Sequence, residues 1–268
     1  MKLEKIWAVY FSGTGTTRRT VERIAGGIAS RLNLPAESVD FSRPAVRQET
    51  LGFGEKDLVV FGTPVYAGRV PNVLLPFLRE RIVGGGALAV PVVLFGNRDY
   101  DDALIELRNI LAADGMHPIA AGAFVGEHSF SRVLGADRPN AEDEALMDEF
   151  AARVAELAAG LDAAPVKSVA VRGQEPLRPY YTPRDRAGNP INILKVKPKT
   201  DLSRCGGCGL CADLCPMGSI DPADVSAVRG ICIKCCACVK GCPTGAKFFD
   251  DAGYLYHQHE LEAQYARP

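Results

Sequence analysis

Residues 6–32 read IWAVYFSGTGTTRRTVERIAGGIASRL, and how this run folds decides the architecture of the chain before residue 165. Ile6 to Phe11 is a short apolar stretch rich in β-formers, and from Ser12 it gives way to a glycine turn and an amphipathic helical pattern. Strand, tight turn and helix start in that order set backbone N–H groups and hydroxyls at the positive end of a helix, which is a phosphate-binding arrangement. Two familiar phosphate loops do not fit. A GxGxxG fingerprint needs glycine at position 18, where the chain has Arg18, and the Gly-Lys-Ser/Thr ending of a Walker loop is missing. Four hydroxyls stand there instead, on Ser12, Thr14, Thr16 and Thr17, around Gly13 and Gly15. The same residues also suit a hydroxyl-rich helix start with no ligand, so the loop alone leaves both readings open.

Working outward, a weak strand is expected near Ser38 to Phe41 and a buried one over Lys56 to Gly62. The latter runs into GTPVYAGRVPN (62–72), which puts Thr63, Tyr66 and Gly68 beyond its carboxyl end, where open α/β sheets bind ligands. A tyrosine there can stack on a planar ring, and Gly68 lets the backbone come close to a ring edge. The next strand, Ala87 to Phe95, ends in GNRDYDDALIEL (96–107), with Asp99, Asp101 and Asp102 at a helix start as the macrodipole prefers. A fifth strand near Ile119 to Val125 leads into GEHSFSRVLGADRPN (126–140), and Asn140 is the expected N-cap of a helix reaching Leu161. Five strands alternating with helices predict a doubly wound α/β domain with a parallel sheet of order 2-1-3-4-5, and a ligand in the crevice between strands 1 and 3.

All nine cysteines fall between Cys205 and Cys242. CGGCGLCADLCP (205–216) and CIKCCACVKGCP (232–243) repeat one pattern, CxxCxxCxxxCP, at a constant offset of 27 residues. That is the ligand run of bacterial iron–sulfur clusters, in which the fourth cysteine of each run serves the other cluster. The expected sets are therefore Cys205, Cys208, Cys211 and Cys242, and Cys232, Cys235, Cys238 and Cys215. Structural zinc would leave the third and fourth cysteines of each run unused, and a disulfide framework prefers an even count and oxidising surroundings. Cys236, the ninth, reads as a small buried hydrophobe or as a residue for cluster exchange. Between the two parts, residues 165–199 hold Pro165, Pro176, Pro179, Pro183, Pro190 and Pro198 and an excess of basic side chains. This predicts a linker, with Tyr180 and Tyr181 either packed on the first domain or part of a solvated spacer. The expected division is 1–164, 165–199 and 200–268. Phe248, Phe249, Tyr254, Leu255 and Tyr256 suit the small core around the clusters, and His257 and His259 read as surface residues.

The chain has 268 residues, 47% of them hydrophobic and 24% charged, with a net charge of −1, which argues against a nucleic-acid partner. The N-terminal apolar run is too short for a signal peptide or a span, so no membrane insertion is expected. Free thiols and oxygen-labile clusters suit an anaerobic, reducing cytoplasm.

These residues resemble the family in which an N-terminal flavodoxin-like domain is fused to a small α+β bacterial ferredoxin domain with two [4Fe-4S] clusters. SGTGTT, GTPVYAGRVP and GNRDYDD look like that family's FMN loops. The resemblance implies an FMN phosphate on Ser12, Gly13, Thr14, Gly15, Thr16 and Thr17. It implies an FMN ring on Thr63, Pro64, Val65, Tyr66, Ala67, Gly68 and Arg69, and on Gly96, Asn97, Arg98, Asp99 and Tyr100. Two departures stand out. Small flavodoxins are acidic around the flavin and often use a tryptophan there, whereas the sole Trp7 lies in the first strand and Arg69 and Arg98 lie in the ring loops. Either guanidinium faces the flavin and favours its anionic reduced form, or it points to solvent or pairs with Asp99 or Asp101. The function implied is electron transfer between FMN, two [4Fe-4S] clusters and redox partner proteins. The competing reading is a flavin-dependent reductase of a small organic substrate or quinone fed by the clusters. No acid/base pair or nucleophile is legible. His128 is the candidate proton donor, with a structural role as the alternative.

Overall fold

The computed structural model describes residues 1–266. Its N-terminal part is a parallel sheet built from β1 (Lys5–Tyr10), β2 (Ala36–Asp40), β3 (Asp57–Pro64), β4 (Leu88–Phe95) and β5 (Gly122–Val125), in spatial order 2-1-3-4-5. Successive side chains of a strand face opposite sides. Ile6, Ala8 and Tyr10 of β1 therefore pack under α1 (Thr16–Leu32) and α4 (Ala141–Ala159), against Val21, Ile24 and Met147. Val9 and Phe11 pack on the other face with Leu78 of α2 (Leu75–Arg81) and Leu107 of α3 (Ala103–Ala113). Helices cover both faces, which is why the central strands read as continuous apolar runs rather than as alternation. Asn140 caps α4 as expected: its side chain accepts from the Glu142 and Asp143 amides, and the Asp143 carboxylate accepts in return from the Asn140 amide.

The fifth strand differs from the sequence expectation of one run near 119–125. It is interrupted, with His117 and Pro118 opposite Leu88 and Ala89, and Gly122 opposite Val92, so it carries one extra residue, a bulge. The cause lies in its neighbour. The carbonyls of Ala87, Ala89 and Phe95 accept from His117, Ile119 and Gly126, so the odd residues of β4 turn their backbone toward the fifth strand. Pro91 is the odd residue facing the gap, and it has no N–H to donate.

Residues 165–198 contain no helix and no strand, yet they are bound along the first domain. The Asp102 carboxylate is fully buried and accepts from the Gln174 amide (3.1 Å), the Arg178 amide (2.8 Å) and the Arg178 guanidinium (2.5 Å). The Arg178 guanidinium first, against the cost of burial, and then the two amides draw the Asp102 carboxyl down to about 2. Tyr180 donates its hydroxyl to the Val70 carbonyl (2.8 Å), and the Tyr181 amide donates to the Ala67 carbonyl (2.9 Å). The segment is a strap, not a solvated spacer.

The C-terminal part pairs β6 (Lys199–Thr200) antiparallel to β7 (Lys247–Phe248) and holds two short helices, α5 (Leu210–Asp213) and α6 (Ala237–Lys240). The sequence repeat is also a backbone repeat. α5 follows Gly209 at φ 75° and α6 follows Cys236 at φ 58°, one repeat apart. Cys236 thus occupies a left-handed corner that its counterpart fills with glycine, at a cost of roughly 1–2 kcal/mol. The aromatic tail forms α7 (Ala252–Tyr265), which does more than close the small core: Tyr254 stacks on Phe249 at 4.2 Å and also meets Phe130 of the first domain at 4.8 Å. Among the described residues no helix is long and apolar enough to cross a membrane.

Candidate functional site

A cavity of about 280 Å³ opens at the carboxyl ends of the central strands. At one end, α1 begins after Gly15, whose φ of 87° turns the chain sharply and which has no side chain to cap the helix. Apart from the Arg18 amide, which Ser12 Oγ takes, its first amides are left for an anion. Gly13, Thr14, Thr16 and Thr17 line this end. Ser12 holds the loop from behind, its amide donating to Ser42 Oγ (2.7 Å) and its Oγ accepting from the Arg18 amide (3.2 Å). Farther along, Pro64, Val65, Tyr66, Ala67 and Gly68 face Gly96, Arg98 and Asp99 across the cavity.

Ser12, Gly15, Thr63, Arg69, Asn97 and Tyr100 stand behind the lining residues rather than among them. Arg69 takes neither course expected of it. Its Nε and Nη2 donate to the two oxygens of Glu106 (2.7 and 2.6 Å), the Val70 amide donates to the same carboxylate (2.9 Å), and its guanidinium lies 4.9 Å over Tyr180. Glu106 lies 37 residues away, so sequence patterning offered no sign of the pair. Arg98 does reach the cavity, paired with Asp101 and 4.8 Å over the Tyr181 ring. Tyr100 packs between Phe95 and Arg172. Thr63 Oγ1 and Asn97 Oδ1, next to the lining residues Pro64 and Gly96, are buried without a hydrogen-bond partner among the described residues.

Much of the remaining wall comes from outside the strand-end loops: Tyr181, Pro183, Ile193 and Leu194 of the strap, Ile233 to Cys235 of the second cysteine run, and His257 and Leu261 of α7. His257 is a correction. Expected at the surface, it is 7% exposed and stacks on Tyr181, and burial, then the Arg98 charge, hold its pKa below the usual imidazole value, whereas His259 is exposed. The signal that could have found it is α7 itself, whose apolar residues need a partner.

His128 lies on Gly96 so closely that a Cβ there would stand 2.3 Å from the imidazole. Its Nδ1 accepts from the Phe130 amide (3.1 Å), which leaves the proton on Nε2. Burial first, then the Lys240 and His257 charges, push its pKa down to about 4. A folded pKa below the unfolded value near 6.5 leaves stability unchanged above pH 6.5 and lowers it as pH falls from there toward 4. Denaturant unfolding is expected to lose about 1–3 kcal/mol over that window, and His128→Gln to flatten the profile. An unchanged profile in the variant would place the titration elsewhere.

The cysteines line two further cavities. Cys205, Cys208, Cys211 and Cys242 surround one of about 70 Å³, and Cys215, Cys232, Cys235 and Cys238, with Cys236, surround one of about 20 Å³. Each cavity draws three cysteines from one run and its fourth from the other. Among the described residues no three acidic, histidine or cysteine side chains converge closely enough for a single metal ion. The donor set itself, four thiolates per cavity drawn from CxxCxxCxxxCP runs, suits a cubane, whose thiolates bind separate irons. The repeat extends to the amides: the Ser219 amide donates to Cys215 Sγ (3.3 Å) and the Ala246 amide to Cys242 Sγ (3.2 Å). Such bonds to sulfur tune cluster potential. Burial pushes the Cys235 and Cys238 thiols up to about 12. Cys236 is 3% exposed, its Sγ 3.3 Å from the Tyr254 hydroxyl.

The two parts meet at this site. A Cβ on Gly13 would stand 3.0 Å from Cys235 Cβ and 3.6 Å from its Sγ, and Cys235 lines both the large cavity and the smaller cysteine cavity. Lys240, between Cys238 and Cys242, pairs with Glu127 and donates to the His128 carbonyl (2.7 Å). Arg47 donates to the Pro216 carbonyl (2.5 Å).

The fold and site define a flavodoxin-type domain joined to a cysteine-run domain. Residues 8–126 match the flavodoxin domain family, and residues 198–221 match the 4Fe-4S binding domain family. The chain therefore joins a flavodoxin domain, which implies FMN, to a 4Fe-4S binding domain, which implies a [4Fe-4S] cluster, and the pair supports flavin and iron–sulfur electron transfer. Among solved structures, an archaeal flavodoxin is 18% identical, with 57% of this chain and 96% of that chain covered and a TM-score of 0.42. A flavodoxin of Streptococcus pneumonia TIGR4 is 19% identical, with 59% and 99% covered and a TM-score of 0.39. An NADH:FMN oxidoreductase in its apo form is 16% identical, with 57% and 89% covered and a TM-score of 0.40. No curated protein matches the chain.

Proposed function

We propose that the chain is an internal relay passing electrons between FMN in residues 1–164 and two [4Fe-4S] clusters in residues 200–268, the last two of which lie outside the described residues. Residues 165–199 strap the two together, and redox partner proteins exchange electrons with the clusters in a reducing cytoplasm. FMN supplies a centre that takes one or two electrons, and the clusters centres that take one each. Gly13, Thr14, Thr16 and Thr17 would hold the FMN phosphate through amides and hydroxyls. Pro64 to Gly68, Gly96, Arg98 and Asp99 would enclose its ring.

The observation that carries this reading is the double membership of Cys235, which lines the flavin cavity and the cavity of Cys215, Cys232 and Cys238. That cluster is then the inner one, packed on the phosphate loop at Gly13. The set Cys205, Cys208, Cys211 and Cys242 is the outer one, with Cys208 exposed. Anaerobic analysis of the purified chain is expected to find about eight irons and one FMN. Rapid reduction of the clusters should be followed by electron arrival at the flavin without added carrier. Fast turnover of one small organic acceptor with little exchange with carrier proteins would instead favour the reductase reading.

A further inference from the structure

Outside the two redox cavities, one surface lies a single residue away from both. Residues 194–197 run beside residues 228–232, tied by Lys197 Nζ donating to the Val228 carbonyl (2.7 Å) and by Lys234 Nζ donating to the carbonyls of Leu194 (3.1 Å) and Cys232 (2.9 Å). On the outside of this pair Leu194 is 80% exposed and Ile231 64% exposed. On the inside, Leu194 lines the flavin cavity and Ile231 lines the inner cysteine cavity. The rim is basic. Lys195, Lys197 and Lys199 are all exposed, and Lys195 makes no ion pair or hydrogen bond among the described residues. Residues 165–199 hold eight basic side chains and two acidic ones; Arg172, Arg178, Arg186 and Lys199 pair with Asp99, Asp102, Glu260 and Asp250, which leaves Lys195 and Lys197 as the rim cations without a carboxylate partner among the described residues. Around the outer cavity the exposed lining residues are Gly206, Cys208, Leu210, Pro243 and Thr244, with Arg204 and Asp213 of opposite sign nearby.

We propose that this apolar, lysine-rimmed face is the docking site for a small acidic one-electron carrier protein, which exchanges electrons with the inner cluster without passing through the outer one. The proposal rests on the relay reading. The step moves one electron from the reduced carrier to the oxidised inner cluster, and no bond is made or broken and no proton transferred. Two exposed aliphatic side chains supply a desolvated contact, and the lysines steer an acidic partner and set its orientation. The relay thereby becomes branched, with a second point of exchange at the outer cluster.

The test uses the intact chain under anaerobic stopped flow, with a reduced acidic bacterial-type ferredoxin as the probe. The second-order rate of cluster reduction is expected to fall about tenfold between about 20 and 500 mM salt. Lys195→Glu should lower the low-salt rate about fivefold, as expected for removal of a steering charge. Reduction by dithionite should not change, and the matched reversal beside the outer cavity, Arg204→Glu, should leave the ferredoxin rate intact. An unaltered rate in Lys195→Glu, a loss confined to Arg204→Glu, or a rate that falls rather than rises as salt is removed would overturn the proposal. So would sedimentation showing a dimer of the chain that Lys195→Glu dissolves, since that assigns the face to a second copy. Failure of the relay reading is read separately: clusters reduced by dithionite would then never pass electrons to the flavin, whatever the ferredoxin rate.

Discussion

Replacing Cys235 by serine is expected to lower the iron content from about eight to about four per chain while leaving the outer cluster's signal in place. It should also abolish electron passage from the clusters to the flavin. Both effects follow from the two walls that Cys235 shares. Serine keeps the size of the side chain and removes the soft thiolate that iron requires, and the inner site then holds three ligands. With the inner cluster gone, the centre built against Gly13 is lost and the outer cavity has no neighbour across that interface. Cys208→Ser serves as the counterpart. It empties the exposed outer site and should stop exchange with carriers that dock there, while flavin and inner cluster still equilibrate and the lysine-rimmed face still accepts electrons. Iron analysis with low-temperature electron paramagnetic resonance and stopped-flow absorbance reads both variants. Equal loss of flavin reduction in the two would contradict the inner and outer assignment.

The second large effect is expected at Glu106, which does no redox chemistry. Its carboxylate is 1% exposed and receives two bonds from Arg69 and one from the Val70 amide. The Arg69 guanidinium, 12% exposed, also reaches the Arg178 carbonyl and the Tyr180 ring. One ion pair therefore joins α3, the ring loop and the strap. Glu106→Ala leaves a buried cation and a buried amide unpaired, and removing one partner of such a pair costs about 3–5 kcal/mol. Denaturant unfolding should register that loss, together with weaker FMN retention, because Ala67 and Gly68 lose their support. Arg69→Met combined with Glu106→Leu should recover much of the stability, since apolar residues of similar volume often replace a buried pair without net cost. If Glu106→Ala changes stability by less than about 1 kcal/mol, the pair is solvent-screened and the strap is held elsewhere, chiefly at Asp102.

How much of this was legible in the sequence depended on whether the cause was local. The parallel strands were legible because burial on both faces writes them as apolar runs, and the turn at Gly13 and Gly15 because strand, turn and helix are contiguous. The grouping of Cys215 with the second run and of Cys242 with the first, seen in the lining of the two cysteine cavities, is the one the bacterial-type cluster motif leads one to expect. The interrupted fifth strand was not, because its cause is the missing amide of Pro91 on the neighbouring strand. The Arg69 partner was hidden for a similar reason: Asp99 and Asp101 adjoin Arg98, the other ring-loop arginine, whereas Glu106 lies one helical turn into α3 and 37 residues from Arg69. His257 and the strap residues Tyr181 and Leu194 became cavity walls only through packing between the two halves of the chain, and no periodicity within either half records it.

The central claim is that a flavin site and an inner cluster share a wall at Cys235 and Gly13. Crystals grown anaerobically and measured at the iron absorption edge test it most directly. Two compact iron peaks are expected, one within the set Cys215, Cys232, Cys235 and Cys238 and one within Cys205, Cys208, Cys211 and Cys242, with FMN density on Thr14, Thr16 and Thr17 beside the first. A single iron site, zinc in place of iron, or flavin density nearer the outer peak would contradict it.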